Sequence, residues 1–144
     1  MEGHNKGAVS GVILNPKNEI LLQFKDSGYP WFQEKWCCFG GAIESGEEPI
    51  DAFLREMQEE LGGKLKEINY FKKYVGISDT HRDGKQFRLY DVHVFGAKYT
   101  GDISDIRLGE GGGFVFLSRK SLDTHPIIEH DKKFIKDYLD HYLI

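Results

Sequence analysis

The segment from Pro49 to Gly63 constrains the fold more than any other stretch of this chain. Pro49 suits a first helical position and Gly62-Gly63 supply a stop. Between them Ile50, Phe53, Leu54, Met57 and Leu61 recur at helical spacing, which predicts a helix with one apolar stripe to bury. Its other side is acidic: Glu56, Glu59 and Glu60 stand at i, i+3 and i+4, so their carboxylates gather on one side. Like charges at this spacing destabilise an isolated helix by about 0.2–0.5 kcal/mol per pair. A glutamate-rich helix face is ordinarily just solvated. A bound divalent cation would turn the repulsion into coordination, and hard oxygen ligands of this kind suit magnesium, with manganese as a substitute.

The rest of the chain reads as strands around that helix. Ala8 to Leu14 and Glu19 to Phe24 form apolar runs joined by the turn cluster Asn15-Pro16-Lys17-Asn18, which predicts a hairpin. Leu65 to Ile77 and Gln86 to Ala97, separated by the Asp83-Gly84 turn signal, predict a second antiparallel pair. Phe114 to Leu117 reads as a short strand, and Ile127 to Leu143 closes the chain with an apolar pattern in helical register. Strands, an acidic helix, more strands and a last helix predict an α/β layered domain with a largely mixed sheet.

Composition bounds what such a domain does. With 144 residues, 40% hydrophobic and 29% charged, the chain is expected to fold as a single domain over 1–144. A formal net charge of -4 argues against a nucleic acid polymer as partner, since no general positive field is available. A small phosphorylated substrate remains compatible, because a cation can mediate the contact. Cys37 and Cys38 are adjacent, so their side chains leave an extended segment on opposite faces and no disulfide is expected. The polar start, Met1 to Gly7, lacks the apolar run of a signal peptide. No stretch approaches the roughly 20 apolar residues that cross a bilayer. A cytoplasmic protein without membrane contact is therefore expected.

The spacing around the acidic helix is more specific than its charge. Gly41 is followed after five residues by Glu47, and after seven more by Arg55-Glu56-Met57-Gln58-Glu59-Glu60-Leu61-Gly62. This resembles the box of the Nudix hydrolase family (MutT-like members included), Gly-x5-Glu-x7-Arg-Glu-U-x-Glu-Glu-x-Gly-U, where U is a bulky apolar residue. Every fixed residue is matched, and Met57 fills the first apolar slot. The last apolar slot holds Gly63, which we read as a looser helix exit, and Phe39 stands where many relatives have proline.

The resemblance implies a Nudix-type α/β/α sandwich with a catalytic loop-helix-loop, a bound Mg2+ (or Mn2+), and a small-molecule nucleotide as substrate. It implies metal ligation by Glu59 and Glu60. Glu56 stands as ligand, as the base that deprotonates water, or as both. The Gly40 carbonyl is a further candidate ligand. Gly41, Glu47 and Arg55 are expected to shape and brace the site. Glu110, in the loop before the Phe114 strand, matches the position of a further carboxylate that serves as ligand or base. The implied reaction is hydrolysis of a diphosphate linkage in a nucleoside diphosphate derivative, with conversion of a (modified) nucleoside triphosphate to monophosphate and pyrophosphate as the leading case. The alternative is a non-catalytic nucleotide sensor of the same fold, although such modules usually lose box glutamates.

Outside the box, Lys25 at the end of the second strand is the expected phosphate contact. Arg88 reads rather as a solvated surface residue. Tyr29, Trp31 and Phe32 could stack on a base, with the balance slightly toward capping the core. His81 reads as an unengaged loop histidine. His125 and His130 form no zinc set with Cys37 and Cys38 by their spacing.

Overall fold

The computed structural model describes residues 7–25, 29–32, 34–106 and 112–142. Strand β1 (Ala8–Leu14) turns into β2 (Ile20–Lys25) through Asn15, whose side-chain oxygen accepts from the backbone N–H groups of Lys17 and Glu19 at 3.0 and 2.9 Å. Asn18 takes the left-handed conformation that lets the chain reverse. The expected hairpin is nonetheless only a stub. Within it β1 and β2 pair at Leu14 and Ile20 and then diverge. Two strands that the sequence did not announce fill the divergence: β3 (Lys35–Cys37) lies on β2, and β4 (Phe39–Ala42) lies on β1.

After β4 the chain enters helix α1 (Pro49–Leu61), then the long hairpin of β5 (Leu65–Thr80) and β6 (Phe87–Tyr99). Strand β6 runs parallel to β1 along the full length of β1, and β5 pairs antiparallel with β6 through three register shifts. Strand β7 (Gly113–Leu117) pairs with β2, and helix α2 (Glu129–Tyr142) follows. The strand order is β3-β2-β1-β6-β5, with β4 on β1 and β7 on β2, so the sheet is mixed as the sequence predicts.

Each face of the sheet carries one helix. Helix α1 buries Ala52, Phe53, Met57 and Leu61 against Val9, Ile13, Leu21, Phe39 and Phe95, with the Phe53 and Phe95 rings stacked 4.6 Å apart. Helix α2 buries Phe134, Ile135, Tyr138 and Leu139 against Val12, Leu22, Val92 and Val94 on the opposite face. The architecture is thus an α/β/α sandwich. The α1 stripe is narrower than its periodicity suggests: Ile50 and Leu54 are exposed, and Ala52 takes a buried position instead. The helix exit is also not loose. Gly62 and Gly63 both adopt positive φ, and their N–H groups donate to the carbonyls of Gln58 and Met57 at 3.2 and 3.3 Å.

No helix among the described residues is long and apolar enough to cross a membrane. The α2 face rests on a close approach at Gly96, where an added Cβ would overlap the Tyr138 ring. The Tyr138 hydroxyl in turn accepts from the Asn69 side chain at 3.2 Å. Gly96→Ala is therefore expected to destabilise the domain by about 1–3 kcal/mol in urea unfolding. An unchanged midpoint would show that Tyr138 is not held as described.

Candidate active site

The divergence of β1 and β2 shapes the site. In β4, Gly40 lies opposite Ser10 and Gly41 opposite Val9. A Cβ on Gly40 would run into the Val9 carbonyl, and one on Gly41 would lie 2.5 Å from Glu56 Cδ. Glycine at position 40 lets β4 lie against β1, and glycine at 41 leaves room for the Glu56 carboxylate.

Arg55 ties the loop to the helix. Its Nε donates to Glu47 Oε2 at 2.8 Å and its Nη2 to Glu47 Oε1 at 3.1 Å, a two-pronged grip on one carboxylate. The same Nη2 donates to the Ala42 carbonyl at 3.0 Å, and Nη1 to Glu56 Oε2 at 2.8 Å. Glu44 and Glu59 complete the ring of acids, each with an oxygen 3.7 Å from Nη1. The bonds to Glu47 and Glu56 hold the guanidinium pKa above its ordinary value. Glu47 also accepts from the Glu44 N–H at 2.9 Å, which closes the loop ahead of α1.

The three carboxylates expected to do the chemistry differ in setting. Glu59 is largely exposed. Glu56 is half-buried, and burial raises its pKa against the opposing pull of Arg55. Glu60 is pushed up to about 8, first by burial and then by the negative charge of Glu56. Its Oε1 is buried and without a hydrogen-bond partner among the described residues. Gly40, Gly41 and Lys25 border the cavity described below. Glu110 lies outside the described residues. Among the described residues, no three His, Cys, Asp or Glu side chains stand close enough together to hold a metal ion.

Beside β4 opens a cavity of about 240 Å³. Gly40, Gly41 and Lys25 border it together with Arg88, Tyr90, His130 and Asp131. The last four belong to a buried polar network that the sequence reading missed. His130 Nδ1 lies 2.8 Å from Asp131 Oδ1, and its Nε2 lies 3.0 Å from Asp79 Oδ1. Asp79 Oδ2 accepts from Tyr90 at 2.5 Å and from Arg88 Nη2 at 3.0 Å. The Cys38 N–H donates to Asp131 Oδ2 at 2.9 Å, which joins the network to the β3–β4 segment.

Burial pulls the His130 imidazolium down, but hydrogen bonds to Asp131 and Asp79 more than reverse this and push it up to about 9. Both imidazole nitrogens then carry protons. Burial likewise opposes the charged form of Asp79, yet His130 and Tyr90 hold its pKa below the ordinary value. The position of α2 makes this possible. Trp36 donates its N–H to the Pro126 carbonyl at 2.8 Å and accepts from the Ile128 N–H at 3.0 Å, so the start of α2 is stitched to β3.

Arg88 is more than a solvated surface residue: although over a third of its side chain is exposed, it lies 4.3 Å from the Trp31 ring, 5.0 Å from the Tyr90 ring and bonds to Asp79. Nor do the early aromatics simply cap the core. Tyr29 and Phe32 pack together at 4.6 Å and border the cavity, while the Lys25 ammonium sits 4.9 Å over Tyr29. His81 is engaged rather than free, with its ring edge-on to Trp31 at 5.1 Å and Nδ1 accepting from the Asp83 N–H. Cys37 and Cys38 are both buried free thiols whose pKa burial pushes well up, which makes them poor nucleophiles.

The sequence signature, sandwich and loop-helix-loop agree with the comparison to known proteins, in which the NUDIX domain matches residues 4–138. The chain belongs to the NUDIX domain family. Its box is matched at every fixed residue and departs from the pattern only at the last apolar slot, Gly63. This NUDIX domain is 27% identical over 121 residues to the nucleoside triphosphatase NudI of Enterobacter sp. (strain 638), covering 81% of this chain and 85% of that protein. It is 32% identical over 62 residues to the m7GpppN-mRNA hydrolase NUDT17 of Xenopus laevis, covering 43% of this chain but only 21% of that longer protein. The NUDIX domain of Shewanella oneidensis NrtR, solved with ADP ribose, superposes with a TM-score of 0.72 at 15% identity, covering 97% of this chain and 90% of that one. At that identity the likeness concerns the fold.

The His130 network gives this NUDIX domain a distinct alkaline limb. A pKa of about 9 in the fold lies above the roughly 6.5 of an unfolded histidine. The stabilisation is thus complete below about pH 6.5 and is lost as pH rises through about 9. From pH 6.5 to 9.5 the wild type is expected to lose about 1–3 kcal/mol more unfolding free energy than His130→Gln. Parallel pH profiles of the two proteins would exclude the charged histidine.

Proposed function

We propose that this domain hydrolyses a diphosphate linkage in a small nucleoside diphosphate derivative, with conversion of a nucleoside triphosphate, normal or modified, to monophosphate and pyrophosphate as the leading case. The observation that carries the reading is the juxtaposition of a complete acidic box with a cavity of mixed character. Gly40, Gly41 and Lys25 are among the residues that border it, and Lys25 is suited to a phosphate oxygen. Tyr29, Phe32 and Phe134 add aromatic surface to the lining. The positive Arg88 and His130 on the same lining are balanced by Asp79 and Asp131, which favours an uncharged group beside them over a second cluster of phosphates.

The donor types suit a hard divalent cation, although Glu56, Glu59 and Glu60 would have to draw together around it. Glu60 Oε1 is buried and has no hydrogen-bond partner among the described residues, on a carboxyl whose ionisation is opposed by burial and by Glu56 and only partly favoured by Lys25. Glu56, Glu59 and Glu60, with the Gly40 carbonyl and Glu110, would hold Mg2+ or Mn2+. Bound there, the cation would neutralise diphosphate charge and make a water easier to deprotonate. In this reading Glu56 accepts a proton or lends its oxygens to the cation, and its orientation depends on Arg55. Glu47 in turn fixes Arg55, so the pair positions the site without touching the reacting atoms. Residues 1–144 act as one catalytic unit, on a small molecule rather than a nucleic acid polymer.

Incubation with magnesium and a nucleotide panel, read as pyrophosphate and monophosphate release, tests this directly. Glu59→Gln is expected to lower kcat at least about 100-fold with an unchanged melting temperature, since the side chain is mostly exposed. Full activity in that variant would remove Glu59 from the site. Wild-type protein that binds a nucleotide without cleaving any of the panel would establish the sensor instead.

Gly41→Ala separates site geometry from folding. The atoms nearest the new methyl group are the carboxyl end of Glu56, which can move. Stability is expected to fall by less than about 1 kcal/mol, while turnover drops at least about tenfold because Glu56 is displaced. Equal effects on both would place Gly41 in folding alone.

A further inference from the structure

Strand β2 reads Ile20-Leu21-Leu22-Gln23, and the three aliphatic side chains are wholly buried. Gln23 follows them into the interior with 3% of its surface exposed, yet packing alone gives no reason for an amide there. Its Nε2 donates to the Cys38 carbonyl at 3.4 Å. A carbonyl can only face the amino end of the amide, so this bond fixes which end is which. The other end, Oε1, is buried and has no hydrogen-bond partner among the described residues. Gln23 borders the cavity, whereas Glu60, whose Oε1 is also unpartnered, does not.

We propose that Gln23 is a specificity-determining residue, whose side-chain carbonyl accepts a hydrogen bond from an uncharged donor on the group attached to the diphosphate. The inference rests on the pyrophosphohydrolase reading and narrows it. An ionised phosphate has no proton to give, so Gln23 does not hold the diphosphate. A hydroxyl or a ring N–H has the chemistry that fits. Cys38 links this contact to the Asp131–His130–Asp79 network, because its carbonyl holds Gln23 while its N–H holds Asp131. A site built to pair such a donor discriminates against an analogue lacking it, because the buried acceptor is then left unsatisfied.

The test uses adenosine, guanosine, cytidine and uridine triphosphates and ADP-ribose. For the member turned over fastest, 2′-deoxy, 3′-deoxy and ring-N-methylated counterparts are compared in wild type, Gln23→Leu and Gln23→Glu. Wild type is expected to lose about tenfold or more in kcat/KM when one particular donor is removed. The deoxy and N-methyl arms tell a hydroxyl from a ring N–H. In Gln23→Leu that penalty should collapse toward one, because both members of the pair are now equally unpaired. Gln23→Glu, carrying a proton on the oxygen that faces the Cys38 carbonyl, keeps both donor and acceptor and should keep the penalty at low pH, with melting temperatures confirming that each variant is folded. A residue that merely supports β2 would lower both members alike and leave their ratio unchanged, which overturns the proposal. So would a variant that alters only the magnesium dependence.

If nothing in the panel is cleaved, the same ratios are read from calorimetric binding of methylene-bridged analogues. Binding without cleavage then removes the hydrolase reading while the ratio still decides Gln23. Neither binding nor cleavage overturns both.

Discussion

Strand β1 carries the organisation of the molecule, because one of its edges is shared by two partners. It lies parallel to β6 along one edge, and along the other it is met first by β2 and then by β4. A simple hairpin would have zipped β1 to β2 and left no space between them. Instead β2 leaves after one pair, and the β3–β4 segment wedges into the opening. That wedge sets Gly40 and Gly41 against α1 and places Cys38 between Gln23 and Asp131. The cavity and the acidic helix are neighbours because the sheet splits at this point.

Charge organises the region around the wedge in two contrasting ways. At the loop-helix junction Arg55 sits among Glu44, Glu47, Glu56 and Glu59, while Glu60 Oε1 has no hydrogen-bond partner among the described residues. That local excess of acid suits a divalent ion. Across the cavity Asp79, Asp131, His130 and Arg88 form bonded pairs in which the signs cancel. Buried ion pairs of this kind are costly to desolvate, and they contribute geometry more readily than stability. Here the geometry is a rigid polar wall without net charge.

The local features of the fold were legible in the sequence, and the long-range ones were not. Helix α1 announces itself through Pro49, its apolar repeat and the paired glycines, and the Asp83-Gly84 turn locates the β5–β6 hairpin. Both are signals within a few residues. The β3 and β4 strands are short and aromatic or glycine-rich, so neither shows a strand period, and their existence depends on partners in β1 and β2. The box spacing located Gly41, Glu47, Arg55 and the three glutamates without any coordinates. Asp79, Tyr90, Asp131 and Gln23 escaped because nothing in their neighbourhood marks them. Only the one polar letter in the apolar run of β2 hinted at Gln23. Arg88 looked solvated for the same reason, since Trp31 and Asp79, which cover it, come from distant segments.

The adjacent thiols of the wedge have a practical consequence. Cys37 and Cys38 line the cavity yet are buried and held in the protonated form, so a water-soluble alkylating reagent cannot modify them at the rate of a free thiolate. A reagent reaches them through the cavity or through local opening of the fold, and the labelling rate reports on that access. A molecule lodged in the cavity slows the clock whether or not it is cleaved. The protein thus carries its own chemical stopwatch for occupancy.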